Sequence, residues 1–438
     1  MRVAVSSKRK GWHILAALLA VALLAAACSS SSGSGSDSQA PSGSDQSQQP
    51  SGEAPAAGPK VTLAIEHFSV IEGTTWSGAH HRAAQRLVEK YPNTVGYIYR
   101  EEVGPDSTNP FAEDMIASEG ADIIIGNAEF MGLPLIELAD RHPDLYFGTV
   151  IDSDLSSRAN FIRFYPKQYQ ALYLEGLVAG ALTQTGNVGI VSAFPAVQVL
   201  HRQAGFVLGV FEAARILNKD VNVYIKYVGD WYLPSEERDV ARTLIDQYGV
   251  DVITQQTDSV APLDAATEAG IWFVGKDMDV VGEYGWATTD TVAISFDTRW
   301  EVIYDRMIKD WLAGDRSPIN PLFMGMADHM VLADGTLVPT VDIMNDGKVG
   351  IDAISPRARA QIPQEILDLV EARRDQMIKG VWDPFFHHEL VSNGTGLDLE
   401  NLPVPPAGTV VKPAGQMPTT EWILGQLNFD LHGVTILE

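Results

Sequence analysis

The stretch Thr185-Gly186-Asn187-Val188-Gly189-Ile190-Val191 marks the point at which the chain begins a second cycle of strands and helices. Before it, apolar residues over 169–185 predict a helix that Gly186 ends. After it, 188–191 predicts a strand and 197–217 a long helix. Strands with continuous apolar runs, separated by helices, are typical of parallel sheets covered on both faces. Two successive cycles therefore predict an α/β protein with two doubly wound lobes.

The loops that follow the predicted strands carry aromatic and polar side chains in both cycles. Ligands of open parallel sheets bind beyond the carboxyl ends of the strands, so we expect these side chains to share one edge. Aromatic rings offer flat faces and carboxylates offer hydrogen bonds, which suits a planar ligand such as a nucleobase. Any one aromatic could simply pack its own loop, but several on one edge favour a site. The candidate ligand-binding residues are His67, Trp76, Asn127, Phe130, Phe194, Trp231, Asp258, Lys276, Asp277 and Asp279.

The N-terminal segment has the pattern of a secretion signal. A basic start precedes a nearly all-apolar stretch over 12–27, which is short for a membrane span of about 20 residues. The small residues before Cys28 resemble a bacterial lipobox, so we expect 1–28 to be a lipoprotein signal peptide with a lipidated Cys28. A plain signal peptide cleaved near Ala27 is the alternative. Residues 29–60, rich in Ser, Gly and Pro, predict a disordered tether. This layout predicts lipid anchoring at the extracytoplasmic face of the cell membrane.

The composition argues against several other functions. The 438 residues include 56 acidic and 31 basic ones, for a net charge of −25. Binding to a phosphate backbone depends on basic side chains, so we expect no nucleic-acid partner. The single cysteine excludes an intrachain disulfide and a Cys-rich zinc site. Adjacent histidines, such as His80 and His81, point in different directions on a helix and rarely share an ion. We therefore expect no metal and no cofactor.

An enzymatic interpretation rests on a pair of acids. Asp277 and Asp279 would point the same way on an extended segment, which makes a carboxylate dyad geometrically possible. The sequence contains no P-loop and no G-x-S-x-G elbow. We therefore predict no catalytic residue, and a nucleoside hydrolase-like enzyme is the weaker alternative, which turnover of the ligand would distinguish.

An ordered set of segments resembles the basic membrane protein family, the substrate-binding lipoproteins of ABC importers, among them purine nucleoside receptors. The segments extend over about 61–390 and comprise 173–180, 185–191, 193–195, 230–234, 251–259, 275–279 and 380–385. The resemblance implies a periplasmic-binding-protein type I fold, in which a three-strand hinge joins two lobes. It also implies a purine base or nucleoside in the cleft between the lobes, and a permease and an ATPase encoded separately.

The resemblance implies roles for the candidate residues. We expect a purine ring to stack between Trp231 and an aromatic side chain of the first lobe, either Trp76 or Phe130. Asp258 would accept hydrogen bonds from the ring edge, and Asp277 from ribose hydroxyls or from the ring.

Some positions depart from the family pattern. Gly73-Thr74-Thr75-Trp76 stands where the family has a G-G-W-T turn, and Ala128 stands where it commonly has an aromatic residue. Lys276 replaces a Tyr, Ser or Ala and could neutralise a neighbouring acid. Lys276 or Asn127 could donate to an exocyclic oxygen of the ligand. His67 either binds the ligand or is a solvated loop residue.

These patterns predict the organisation of the whole chain. Lobe 1 should comprise 61–186 and 290–318, lobe 2 should comprise 187–289 and 319–390, and 391–438 should be a C-terminal extension that packs on the body. The predicted function is that of a monomeric, extracytoplasmic substrate-binding lipoprotein, not an enzyme, that captures a purine base or nucleoside for an ABC importer. A ligand-sensing lipoprotein without a transport role is the other alternative.

Overall fold

The computed structural model describes residues 60–150, 158–283, 285–315 and 320–438, which lie in the unit Ala57–Glu438. The predicted signal peptide, Cys28 and the predicted tether lie outside the described residues. The strands are β1 (Val61–Glu66), β2 (Val95–Arg100), β3 (Ile123–Gly126), β4 (Tyr146–Val150), β5 (Phe161–Pro166), β6 (Asn187–Ser192), β7 (Asn222–Tyr227), β8 (Val252–Gln256), β9 (Trp272–Val274), β10 (Val292–Thr298), β11 (Leu322–Met324), β12 (His329–Val331), β13 (Leu337–Pro339), β14 (Val341–Asn345), β15 (Lys348–Val349), β16 (Leu390–Gly396), β17 (Val410–Lys412), β18 (Phe429–Leu431) and β19 (Val434–Leu437). The α-helices are α1 (Trp76–Lys90), α2 (Thr108–Glu119), α3 (Gly132–Arg141), α4 (Gln168–Leu182), α5 (Val197–Leu217), α6 (Pro234–Tyr248), α7 (Ala261–Ala269), α8 (Trp300–Ala313), α9 (Pro356–Arg359), α10 (Gln364–Ile378), α11 (Pro384–His387) and α12 (Thr420–Gly425).

The first lobe is built on a parallel sheet with the strand order β11-β5-β4-β3-β1-β2. Alternate side chains of β1 point to opposite faces, as the pleat of a strand requires. Leu63 and Ile65 pack with α1 and α8, whereas Ala64 packs with α2 and α3. Both faces of the sheet are therefore covered by helices.

The second lobe is built on a larger sheet with the order β15-β14-β10-β9-β8-β6-β7-β19. Its strands are parallel except β14 and β15, which run antiparallel to their neighbours. Val188 and Ile190 of β6 pack with α4, α5 and α10, whereas Val191 packs with α6 and α7. Two parallel-sheet lobes covered by helices confirm the predicted fold class.

Two glycines set the distance between α4 and α5. A Cβ atom on Gly176 would lie 2.1 Å from the carbonyl oxygen of Phe206, and one on Gly209 would lie 2.1 Å from that of Tyr173. Only glycine permits so close an approach of two helix backbones. The contact fixes α5 against α4, and the first turns of α5 face the cleft between the lobes.

The crossing points between the lobes differ from the predicted boundaries. In the described part of the chain, the backbone passes from one lobe to the other at three places. These lie between β5 and α4, between β10 and α8, and between β13 and β14. The first boundary, predicted at 187, is corrected because α4 belongs to the second lobe. This helix has no polar stripe, all its residues are buried, and its partners are α5 and α10.

Two strands also belong to a different lobe than predicted. Residues 290–298 were expected in the first lobe, but β10 pairs with β9 and β14 of the second sheet. Residues 319–324 were expected in the second lobe, but β11 pairs with β5 of the first sheet. Each strand begins with apolar residues, and an apolar run does not reveal which sheet it will join.

The C-terminal residues complete the second lobe. β16 lies between β17 and β18 in a small antiparallel sheet, and β19 pairs in parallel with β7 at the edge of the large sheet. An uncovered edge strand can pair with other chains, so β19 protects β7 from such pairing. No helix within the described residues is long and apolar enough to cross a bilayer.

Candidate ligand-binding site

A cavity of about 430 Å³ lies between the two lobes, at the carboxyl ends of the parallel strands. Side chains of the first lobe form one wall and side chains of the second lobe form the other. The lining residues are Phe68, Trp76, Asn127, Ala128, Glu129, Phe130, Leu133, Val150, Tyr165, Phe194, Gln198, Arg202, Trp231 and Asp258. Six of them, Trp76, Asn127, Phe130, Phe194, Trp231 and Asp258, are among the residues singled out from the sequence.

Aromatic rings stand on both walls of the cavity. Trp76, the first residue of α1, donates from Nε1 to the carbonyl oxygen of Asn127 at 2.8 Å, and its ring lies 5.3 Å from that of Trp300. These contacts fix the plane of the Trp76 indole. Phe130 is held by fewer contacts, since 40% of its surface is exposed.

The second wall carries its own aromatic pair. The rings of Phe194 and Trp231 meet edge to face, with centroids 4.7 Å apart and planes inclined at 63°. Phe194 follows β6 and Trp231 follows β7, so two neighbouring parallel strands bring them together. Such edge-to-face pairs stabilise each other beyond simple burial of area.

The side-chain amide of Asn127 forms hydrogen bonds within the protein. Its Oδ1 accepts a hydrogen bond of 2.9 Å from the backbone of Phe68, and its Nδ2 lies 3.2 Å from His67 Nδ1 and from Ser77 Oγ. The Asn127 amide therefore shapes the loop around the ligand rather than offering a free donor to it, which corrects the expectation of a direct hydrogen bond.

His67 lies behind the cavity wall. Its Nε2 is 3.0 Å from the hydroxyl of Tyr97 and its Nδ1 accepts from Asn127. Burial, and secondarily the nearby His81, lowers the pKa of His67 to about 3, so the ring is neutral. His67 is neither a solvated loop residue nor part of the cavity lining. It orients Asn127.

Lys276 forms a buried ionic cluster with two carboxylates. Its Nζ is 2.6 Å from Asp258 Oδ1 and 3.3 Å from Asp277 Oδ2. It also donates to the carbonyl oxygen of Thr257 at 3.3 Å. The neutralisation of an acid by Lys276 is as expected, but its donors are occupied by protein acceptors. Lys276 holds Asp258 in place instead of reaching the cavity.

Asp277 and Asp279 are both buried outside the cavity lining. Asp277 Oδ1 accepts from Gln168 Nε2 at 2.5 Å and from Thr298 Oγ1 at 2.8 Å, close to two of the crossing points between lobes. Asp279 accepts from the backbone amides of residues 282, 346 and 347, at 2.6–2.8 Å. The two acids therefore do not form a dyad, and Asp279 stabilises turns of the second lobe.

Sequence reasoning missed the contributions of helices and of strand β5. Gln198 and Arg202 lie one turn apart on α5, and Tyr165 lies near the end of β5. Arg202 is only 1% exposed, on a helix whose buried residues are mostly apolar. A long basic side chain within a buried helix was the signal that could have identified it.

The two lobes are in direct contact around the cavity. Arg82 Nε and Arg86 Nη1 of α1 form ion pairs with Glu283 of the second lobe at 2.6 and 3.2 Å. Thr75 Oγ1 lies 3.4 Å from Asp258 Oδ1. The structure is therefore that of a closed cleft. Within the described residues, no group of three or more acidic, histidine or cysteine side chains is placed to hold a metal ion.

Comparison with known proteins gives relatives that are similar in sequence over about half of the chain. Over 235 residues the chain is 32% identical to a putative ABC transporter glucose-binding protein of Haloferax volcanii, a match that covers 53% of this chain and 57% of that protein. Over 256 residues it is 27% identical to a purine-binding protein of Brucella abortus, covering 58% of this chain and 70% of that protein. The chain thus matches little more than half the length of the Haloferax protein.

A solved structure and a family model extend the comparison. An ABC transporter solute-binding protein of Aeropyrum pernix K1 superposes with a TM-score of 0.58 at 17% identity, over 73% of this chain and 92% of that one, which shows a shared fold. The family model for PnrA-like ABC transporter substrate-binding proteins matches residues 60–333. This match covers more than half of the chain, and the protein therefore belongs to the family of PnrA-like ABC transporter substrate-binding proteins.

Proposed function

We propose that the protein captures a purine base or nucleoside outside the cytoplasm and presents it to an ABC importer whose permease and ATPase are separate chains. The prediction that the chain is not an enzyme agrees with its membership of a substrate-binding family.

The observation that carries the proposal is the presence of aromatic rings on opposite walls of one cleft. Trp76 and Phe130 come from the first lobe, and Phe194 and Trp231 come from the second. A planar heterocycle held between such rings stacks on both faces, and base stacking contributes about 1–3 kcal/mol per aromatic side chain. The volume of about 430 Å³ lies within the usual range for small-molecule sites.

Polar groups at the edge of the cavity would select among planar ligands. Asp258 lines the cavity, and its Oδ1 is bound by Lys276 at 2.6 Å. Its second oxygen can accept a hydrogen bond from a ring N–H or an amino group, and a carboxylate makes a stronger bond than a neutral acceptor. Stacking thus supplies affinity, and edge contacts supply specificity.

A sugar is the second candidate ligand, because the Haloferax relative is a putative glucose-binding protein. A hexose needs hydrogen-bond partners for each of its hydroxyl groups. The cavity lining is mostly apolar and aromatic, and the amide of Asn127 is already bound to the protein. The mostly apolar and aromatic lining therefore favours a flat heterocycle over a sugar.

Attachment to the membrane is the last part of the proposal. The lipobox-like sequence before Cys28 supports a lipid anchor, and the following 29–60 would act as the tether. A lipid-anchored receptor outside the membrane would hold its ligand close to the permease. The closed arrangement of the lobes is the form that a permease could distinguish from the empty one.

Mass spectrometry of small molecules released from the natively purified protein tests the ligand class without choosing a ligand beforehand. The proposal predicts a purine base or nucleoside at a stoichiometry close to one per chain. Recovery of a hexose and no purine would replace the purine assignment by the sugar assignment.

A further inference from the structure

Arg202 lines the cleft and carries two N–H donor groups that have no partner among the described residues. The side chain extends from α5, lines the cavity and is 1% exposed. Its Nη1 donates to Gln168 Oε1 at 3.4 Å, whereas Nε and Nη2 have no hydrogen-bond partner among the described residues. Nε–H and Nη2–H form one edge of the guanidinium, where two parallel N–H bonds can meet two adjacent acceptors. Buried donors without partners are costly, so a ligand is expected to satisfy them.

The charges around Arg202 favour a neutral ligand over an anionic one. Gln168 accepts from Arg202 and donates to Asp277 at 2.5 Å, and Asp277 and Asp258 both pair with Lys276. This chain of contacts holds two cations and two carboxylates, so its formal charge is zero. An anionic ligand would leave the buried group with an uncompensated charge, whereas a neutral ligand keeps it balanced.

Two other buried ionisable groups nearby, Glu175 and His201, do not add to this charge. Burial raises the pKa of Glu175 well above its ordinary value, which favours the neutral form of that carboxyl. Burial also lowers the pKa of His201 well below its ordinary value, so the imidazole next to Arg202 is neutral. The ring of His201 packs edge to face against Tyr165 and Tyr169.

A neutral, planar ligand with two adjacent acceptors on one edge fits these donors. The O6 and N7 atoms of a 6-oxopurine are such a pair, and they are the atoms of guanine that arginine contacts in DNA. Adenine presents N7 and an amino group, and the amino group would place a donor against a donor. We propose that Arg202 makes the site selective for 6-oxopurines, such as hypoxanthine, guanine and their nucleosides, over 6-aminopurines. This inference rests on the proposed purine binding and assigns the residue that would form hydrogen bonds to O6 and N7 of the ring.

Calorimetric titration of the ligand-stripped full-length protein with inosine and adenosine tests the selectivity. We expect inosine to bind about 10-fold or more tightly than adenosine, which is the discrimination given by a good bidentate contact. The analogue 7-deazainosine lacks N7, and we expect it to bind more weakly than inosine. This comparison requires no variant and therefore does not depend on the folding of one.

A substitution can invert the preference. Arg202→Gln replaces two donors by one donor and one acceptor, and glutamine matches the N6 and N7 atoms of adenine. We expect the ratio of inosine to adenosine affinity to fall at least 10-fold in this variant, with an unchanged circular-dichroism spectrum. Arg202→Lys keeps the positive charge but lacks the two parallel N–H donors of the guanidinium. It should therefore also reduce the ratio of inosine to adenosine affinity. Trp231→Ala is the matched comparison, because it should weaken both nucleosides and leave their ratio intact.

The outcomes separate this inference from the proposal on which it rests. Binding of adenosine as tight as that of inosine, or a ratio unchanged in Arg202→Gln, would overturn the role of Arg202 while purine binding stands. Absence of binding by every purine would overturn both.

Discussion

The backbone amide of Thr75 donates a hydrogen bond of 3.1 Å to the carbonyl oxygen of Asp258, across the cleft between the two lobes. Thr75 immediately precedes Trp76 at the start of α1. The amide of Asp258 in turn donates to the carbonyl oxygen of Trp231 at 2.9 Å. When the cleft closes, the backbone just before Trp76 therefore contacts the backbone at Asp258, which is itself hydrogen-bonded to Trp231. The same movement would press both rings on a ligand and complete the hydrogen bonds at its edge.

The first prediction concerns stacking on the second lobe. Trp231→Ala should weaken the binding of every purine that binds by about 1–3 kcal/mol, because each ligand has a flat face to stack whatever its edge groups. Calorimetric dissociation constants for a set of purines measure the effect. Tyr232→Ala is the matched control, since Tyr232 is the next residue, is 37% exposed and is absent from the cavity lining. Equal losses in both variants would show that the loop, rather than the indole, is responsible.

The second prediction concerns the buried ionic cluster. Lys276→Met leaves Asp258 and Asp277 without their cation, and removal of one partner from a buried ion pair destabilises a protein by about 3–5 kcal/mol. Urea unfolding followed by tryptophan fluorescence measures the free energy. Lys379→Met is the control, since Lys379 pairs with Asp375 on an exposed helix face and such pairs contribute about 0.3–0.5 kcal/mol. A Lys276→Met variant as stable as the control would contradict the structural role of the cluster.

The third prediction concerns pH. Burial raises the pKa of Glu66, at the end of β1, from its ordinary 4.5 to about 9. The folded state then keeps a proton that the unfolded state releases, so stability falls as the pH rises from about 4.5 to about 9. The slope is at most about 1.4 kcal/mol per pH unit. Glu66→Gln removes this loss, and its stability relative to the unsubstituted protein should increase with pH across that window.

Urea unfolding at three pH values between 5 and about 8.5 checks the slope attributed to Glu66. Glu365→Gln, a substitution at an exposed position of α10, is the control and should shift stability by a similar small amount at each pH. A difference between Glu66→Gln and the unsubstituted protein that does not change with pH would refute the neutral, buried state of Glu66.

The positions of the loop residues at the cleft could be predicted from the sequence because parallel strands place the loops after them on one edge. Trp76, Asn127, Phe194 and Trp231 each follow a strand or begin the next helix, and all line the cavity. What their side chains do there could not be predicted. The amide of Asn127 turns to His67, which depends on a pairing between loops that no local pattern reveals.

The parts of the site that come from helices could not be predicted in the same way. Arg202 reaches the cavity because α5 is pressed against α4 at Gly176 and Gly209, a tertiary contact that determines the direction of the helix. Likewise, the apolar run of β10 indicates a strand but not its partners, β9 and β14. Sequence patterns predict elements and the edge that carries the ligand, whereas packing decides the lobe boundaries and the buried contacts.

The fourth prediction concerns attachment to the membrane. Cys28→Ser should release the protein from the membrane fraction or block its processing, because serine cannot form the thioether that carries the diacylglycerol. Immunoblotting of membrane and soluble fractions measures the distribution. Ser31→Ala, a change three residues further along, should leave the protein with the membrane. A Cys28→Ser protein that still fractionates with membranes after normal processing would show that another feature anchors it.

The central claim, that the cleft holds a purine, is tested most directly by isothermal titration calorimetry of the refolded, ligand-stripped protein. The titrants are inosine, guanosine, adenosine, xanthine and glucose. We predict saturable binding, with one site per chain, of at least one purine and no heat of binding from glucose. Binding of glucose alone, or of none of the purines at up to millimolar concentration, would contradict the account.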